Sequence, residues 1–371
     1  MMKDILSKIL RVIVIILFII VFVPFAFLVI ALFNNGSEGI GILLEYAVAL
    51  VIAYNLNIIV HECGHLVFGL LCGYHFCSFR VGSLMLVRQK GRVNIRSFKL
   101  AGTGGQCLMI PPEREEKKAE ILLYNFGGVI FNLIFAVICF ALRLAFSDVY
   151  ILSFTLLISG FISVFGMLTN GIPLNIGGIE NDGMNALKLS KNPEAAASFK
   201  KQLLINAAQT EGIRTSEMPD EWFTPSEGAD MQNTHNATLA VFAAGRLFDG
   251  GDIEAVERAI ESVLNSGYNI LGLHRSLLTC DLIYCRLING SGEVDNLLTP
   301  ILAKFMSTMK NYPSIIRTEY TIALLKNGDS SRAEKILSHY EKIARKFPYQ
   351  QEIETERMLM AKALYIYKNK R

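Results

Sequence analysis

Within the otherwise apolar stretch IIVHECGHLVF, residues 58–68, stand side chains of the types that bind a metal or move a proton. His61, Glu62 and His65 spell H-E-x-x-H. On a helix, two histidines at this spacing share one face and can bind one Zn²⁺, with the glutamate beside them as general base. Cys63 lies two residues from each histidine and so points off that face. Ionisable groups inside an apolar span are costly unless they are paired, which favours chemistry over simple packing. Catalytic zinc takes three protein ligands and keeps one position open for water. The third ligand must come from elsewhere. Of the remaining histidines, His75 is off the shared face, and His235, His274 and His339 lie in the less apolar half. Asp182 is the leading candidate and Glu180 the next. Taken alone, Asp182 could equally be a turn residue or the N-cap of a helix beginning at GMNALKL.

The elements that must position these groups follow from hydropathy. The mean hydropathy of +0.38 is high for a chain of 371 residues, and the excess lies in residues 1–190. Four apolar runs, Leu10–Phe33, Gly41–Tyr74, Ala119–Phe146 and Val149–Thr169, are each long enough to span a bilayer. The first has no small-residue cleavage site and reads as a retained helix. Asn55 and Asn57 read as hydrogen-bonding glue between helices or, alternatively, as groups that hold the site, Gly127-Gly128 as a place of close helix approach, and Asn132 as a buried polar group that needs a partner. Between the second and third runs, residues 78–100 alternate apolar and polar, with a turn at Arg88–Gly91. That pattern predicts a membrane-associated β-hairpin. Its edge could hold an extended peptide, or its basic residues could simply meet lipid headgroups. AGTGGQCLMIPP follows as a loop or short edge strand. Asn170–Gly183, NGIPLNIGGIENDG, breaks the helix after the fourth run. Lys and Arg concentrate before the first run and between the second and third. The positive-inside rule then places both termini in the cytoplasm, and brings H-E-x-x-H and Asn170–Gly183 to the same face of the cell membrane.

Beyond Ser190 the pattern is that of a soluble, all-α sequence. Three helix–turn–helix segments have turns at Gly250, Gly290 and Gly328, an arrangement similar to a tetratricopeptide array and suited to holding a protein partner, with an irregular helical bundle as the alternative. The chain therefore divides into an N-terminal transmembrane helix and turn (1–39), a membrane core (40–190), a connecting segment (191–235) and a helical-repeat domain (236–371). The net charge of +3 and the lack of aromatic-interleaved basic stretches argue against nucleic acid. Seven cysteines without a C-x-x-C read as reduced, packed thiols.

Over residues 40–190 the chain resembles the site-2 protease family, intramembrane zinc metallopeptidases of the M50 type. The likeness rests on His61-Glu62-Cys63-Gly64-His65 in an apolar helix, the β-hairpin after it, Gly127-Gly128 with Asn132, and Asn170-Gly171-Ile172-Pro173 with Asp182-Gly183. The resemblance implies Zn²⁺ held by His61, His65 and Asp182, Glu62 as catalytic base, Asn170 against the substrate backbone, and a membrane-anchored protein or peptide as substrate. Two features depart from the family pattern: the loop from Pro173 to Asp182 is longer, and Gly128 stands in place of a proline. The alternative from another class is a catalytically silent membrane scaffold that recruits a partner through its helical repeats. A transporter would call for more spans and internal repeats.

Overall fold

A computed structural model describes residues 36–97, 103–114, 116–176 and 179–369. The expected first span, Leu10–Phe33, lies outside the described residues. Among the described residues, three helices are long and apolar enough to cross a membrane: α1 (Gly36–Leu71), α2 (Lys118–Ala145) and α3 (Tyr150–Gly171). The shortest, α3, rises about 33 Å at ~1.5 Å per residue, which matches a hydrocarbon core of about 30 Å. After α3 come a two-residue hairpin, β5 (Asn175–Ile176) and β6 (Ile179–Glu180), and helix α4 (Asp182–Lys191).

The chain forms two compact units. Among the described residues, the first comprises Gly36–Phe68, Leu122–Ile176 and Glu180–Leu187. Its polarity is inverted. Val51, Val137 and Leu144 are exposed, while Asn57, Glu62, His65, Asn132, Ser159 and Ser163 are buried. Water would select the opposite arrangement; a hydrocarbon solvent selects this one. Helices α1 and α2 meet backbone to backbone, because a Cβ on Gly64 would lie 2.2 Å from the carbonyl oxygen of Gly127. Helices α1 and α3 are joined by polar bonds: Asn57 Nδ2 donates to Ser159 O at 3.2 Å, and the Ser163 hydroxyl donates to Asn57 Oδ1. Asn57 is thus the expected packing glue, whereas Asn55 Nδ2 bonds only its own helix, at Val51 O.

The second unit comprises the described residues of Gly69–Ile121, Ile179 and the described residues from Lys188 onward. In place of a lone hairpin it holds an antiparallel sheet of four strands: β1 (His75–Val81), β2 (Leu84–Gln89), β3 (Arg92–Ser97) and β4 (Gly105–Ile110), in the order β3-β2-β1-β4. The β2–β3 turn falls where it is expected, with Lys90 and Gly91 both at positive φ, as a tight two-residue hairpin turn demands. The glycine-rich stretch before Pro111 becomes the edge strand β4. The sheet does not stand apart. Met85 and Val87 are fully buried in one core with the helices, and Gln89 Nε2 donates to Thr210 O and Pro348 O. Arg80 is likewise no surface cation: it is buried and donates to Gly82 O, Thr103 Oγ1 and Gly105 O.

Residues 191–235 are more than a connection. They contain α5 (Pro193–Glu211), capped by Asn192 and Gly212, and a loop whose Met218 and Phe223 pack on Ile205 and Leu239. Helical hairpins then follow at each expected glycine turn. They are α6 (Thr234–Arg246) with α7 (Ile253–Asn265), α8 (Gly272–Asn289) with α9 (Pro300–Thr308), and α10 (Pro313–Thr321) with α11 (Ser330–Ala344). Gly251, Gly290 and Gly328 take the left-handed conformation that ends a helix. The units are uneven, since α9 is short and α10 runs into a π-turn at Ile322–Lys326. Helix α12 (Gln350–Asn369) closes the unit. All seven cysteines are free.

Candidate metal centre

His61 and His65 lie one turn apart on α1, inside the first unit. Their Nε2 atoms are 3.3 Å apart. Asp182, the first residue of α4, brings Oδ2 to 3.1 Å from His61 Nε2 and 3.4 Å from His65 Nε2. These three form the one group of potential metal-ligating residues found among the described residues. Ligands about 2.0–2.1 Å from a tetrahedral zinc stand roughly 3.3 Å apart, so the triangle is the right size for such an ion. Asp182 Oδ2 is buried with no hydrogen-bond partner among the described residues. Three acceptor atoms that converge without a shared proton repel one another, and a cation removes that cost. The residues fit zinc.

The surroundings set the tautomers. His65 Nδ1 lies 2.8 Å from Tyr124 O, so the ring donates there and leaves Nε2 with a lone pair. His61 Nδ1 lies 3.1 Å from the Asn132 side-chain nitrogen, while Asn132 Oδ1 is buried without a partner. The two amide ends of an asparagine are assigned from hydrogen bonding. Turning the amide over lets Oδ1 accept the Nδ1–H of His61 and frees Nε2 for a metal. Gly128 makes room for this ring, because a Cβ there would lie about 2.5 Å from His61 Cε1. Glu62 is buried on the same turn of α1.

The longer loop after α3 delivers Asp182 through a residue that sequence reasoning passed over. Asn181 makes four hydrogen bonds with its side chain. Oδ1 accepts from Leu174 N at 3.0 Å and Met184 N at 2.9 Å, and Nδ2 donates to Thr169 O and Ile172 O at 2.6 Å each. It therefore caps α4 and ties the loop to the end of α3. Asp182, relieved of the capping role, turns its carboxylate to the histidines. Its neighbour Gly183 allows the approach, since a Cβ there would lie 2.3 Å from Gly171 O. The signal was available in the sequence: Asn before a helical run is a strong N-cap. Glu180 sits on β6, outside the cluster. Asn170 is half-buried in the last turn of α3, where its Nδ2 donates to Gly166 O at 3.1 Å.

No curated protein and no solved structure matches the chain. A family model does, and it extends past residue 190 into the helical hairpins, beyond the span of the motifs. Matched over residues 48–336, the chain belongs to peptidase family M50.

Proposed function

We propose that the protein is an intramembrane zinc metalloprotease that hydrolyses peptide bonds in or near the membrane segment of a membrane-anchored protein or peptide. The convergence of His61 Nε2, His65 Nε2 and Asp182 Oδ2 inside a bundle whose outer surface is apolar carries this reading. In it, His61, His65 and Asp182 hold the metal. A bound zinc ion would lower the pKa of a water and polarise the scissile carbonyl. Glu62 takes the proton of the attacking water and passes it to the leaving amine. Asn132 and the Tyr124 carbonyl hold the two imidazoles in the tautomer that presents Nε2. Asn170, at the end of α3, is placed to bond the substrate backbone once its amide leaves Gly166 O. A substrate helix must unwind to be cut. Both termini are assigned to the cytoplasmic side by the distribution of Lys and Arg.

The test compares membrane-protein fragments from cells that express the wild type or Glu62→Gln at equal level and zinc content. Fragments present only with the wild type are expected. Identical fragment patterns would refute peptidase activity and leave a silent scaffold.

A further inference from the structure

The second unit contains a cleft of about 530 Å³, within the roughly 300–1,000 Å³ of small-ligand sites. It has no part in the chemistry described above. At one end it gathers more acid than base. Asp281, Glu352 and Glu356 line it there, with Arg317 as their one cationic partner. Arg317 is almost fully buried, donates to Asp281 Oδ1, and lies 3.4 Å from both oxygens of Glu356. The rings of Tyr284 and Phe248 cover its guanidinium at 4.6 and 5.1 Å. The other cations of the cleft are engaged elsewhere: Arg214 with Glu354 and Arg246 with Asp220. Asp249 is satisfied by the hydroxyls of Thr215 and Thr355. His274 cannot supply the missing charge, because burial lowers its pKa to about 4.

The imbalance leaves marks. The half-buried side chain of Glu352 makes no hydrogen bond to a described residue. Glu356 Oε2 and His274 Nδ1 are buried without a hydrogen-bond partner among the described residues. Burial and the neighbouring carboxylates push Glu352 up to about 8; burial, offset in part by Arg317, leaves Glu356 at about 7. A second cation would satisfy these groups. The remaining walls narrow its carrier. Phe242, Leu278 and Leu359 are apolar, and Gln202, Asn206 and Gln209 place amides at i, i+4 and i+7 along one face of α5, with Gln202 Nε2 donating to His235 O and Asn206 Nδ2 to Gln202 O. Amides in a row suit a peptide backbone, apolar walls suit flanking side chains, and a bare cation would use neither.

We propose that this cleft binds a short peptide bearing an arginine or lysine, with its cationic group against Glu352 and Glu356. Deprotonation of the two glutamates then accompanies binding, so affinity rises with pH. Asp281, Arg317, Tyr312 and Tyr349 also face this end; Asp281 and Arg317 are already paired, and the phenols stay neutral.

The test is calorimetric titration of the full-length chain in detergent, carrying Glu62→Gln so that nothing is cleaved. This makes the result independent of the peptidase reading. The probes are acetyl-Leu-Arg-Leu-amide, its glutamine counterpart and spermidine, at pH 6 and pH 8.5. The arginine peptide should bind about tenfold or more tightly than the glutamine peptide, as expected for a buried charge-assisted bond. It should bind more tightly at pH 8.5 and outbind spermidine. Glu352→Gln should weaken it by about the same factor while raising the melting temperature at pH 8.5, a combination that misfolding cannot produce. Equal binding of the two peptides, or binding of neither, overturns the site. Spermidine binding as tightly as the arginine peptide overturns the peptide assignment. Should Glu352→Gln instead destabilise the protein, the peptide comparison on the chain without that change still decides.

Discussion

Asn132 determines which nitrogen of His61 is left for a metal, so its removal should be felt at an atom it does not itself ligate. Asn132→Leu is expected to weaken zinc binding about 10- to 100-fold, the usual cost of losing such a partner. Competition with a chelator would measure it, and unchanged affinity would remove Asn132 from the site. Asp182 and Glu180 separate cleanly at this scale. Asp182→Asn should reduce the zinc content of purified protein to background, because a neutral amide is a poor third ligand, while Glu180→Gln should retain full zinc. The reverse result would move the ligand to β6. His61, Glu62 and His65 could be recognised from their spacing alone. Asn181 was equally visible as an N-cap, but its bonds to Thr169 O, Ile172 O and Leu174 N, which tie the loop to the end of α3, are displayed by no local pattern.

At the scale of elements, the site depends on two close approaches that only glycine permits. Gly64 against Gly127 brings α1 to α2, and Gly183 against Gly171 brings α4 to α3. Gly64→Ala should cost about 1–3 kcal/mol or more, as overpacking does, because its obstacle is backbone and cannot rotate away. Thermal unfolding in detergent would check it, and a melting temperature equal to wild type would mean that the helices part without penalty. Asn181→Ala removes the cap of α4, worth about 0.5–2 kcal/mol, and also frees the loop that carries Asp182. Zinc affinity should therefore fall with stability. The three apolar runs from Gly41 onward predicted their helices well, since length and hydropathy alone define a span. The sheet was half legible. Alternation shows that one face of a strand is covered but not by what, and here Met85 and Val87 are covered by helices far along the chain.

For the whole molecule, the acidic end of the cleft in the second unit predicts an unusual pH dependence. Glu352 and Glu356 have pKa values of about 8 and 7 in the folded chain, raised first by burial, against an ordinary 4.5. As pH rises from 4.5, an unfolded chain releases both protons while the folded chain keeps them. Stability is therefore greatest at the acidic side of this window and falls as pH climbs toward 8. Melting temperatures taken between pH 5 and 8.5 should decline by several degrees, and Glu352→Gln should flatten the decline. A profile that rises across this range, or one that Glu352→Gln leaves unaltered, would contradict the assignment. The same property distinguishes the second unit from a plain helical stack, whose buried charges would be paired.

By itself, the sequence determined which residues could do chemistry and which segments prefer hydrocarbon, because both follow from residue type and from spacing along one element. H-E-x-x-H, the apolar runs and the glycine turns at 250, 290 and 328 are local facts of this kind. The tertiary structure decided what crosses between elements: that Asp182 and not Glu180 meets the histidines, that Asn181 rather than Asp182 caps α4, that Asn132 faces His61, and that three carboxylates share one arginine. Apart from the cap, whose bond to Met184 N is local, each is a matter of distance between residues far apart in the chain, set by contacts that pattern and composition do not encode.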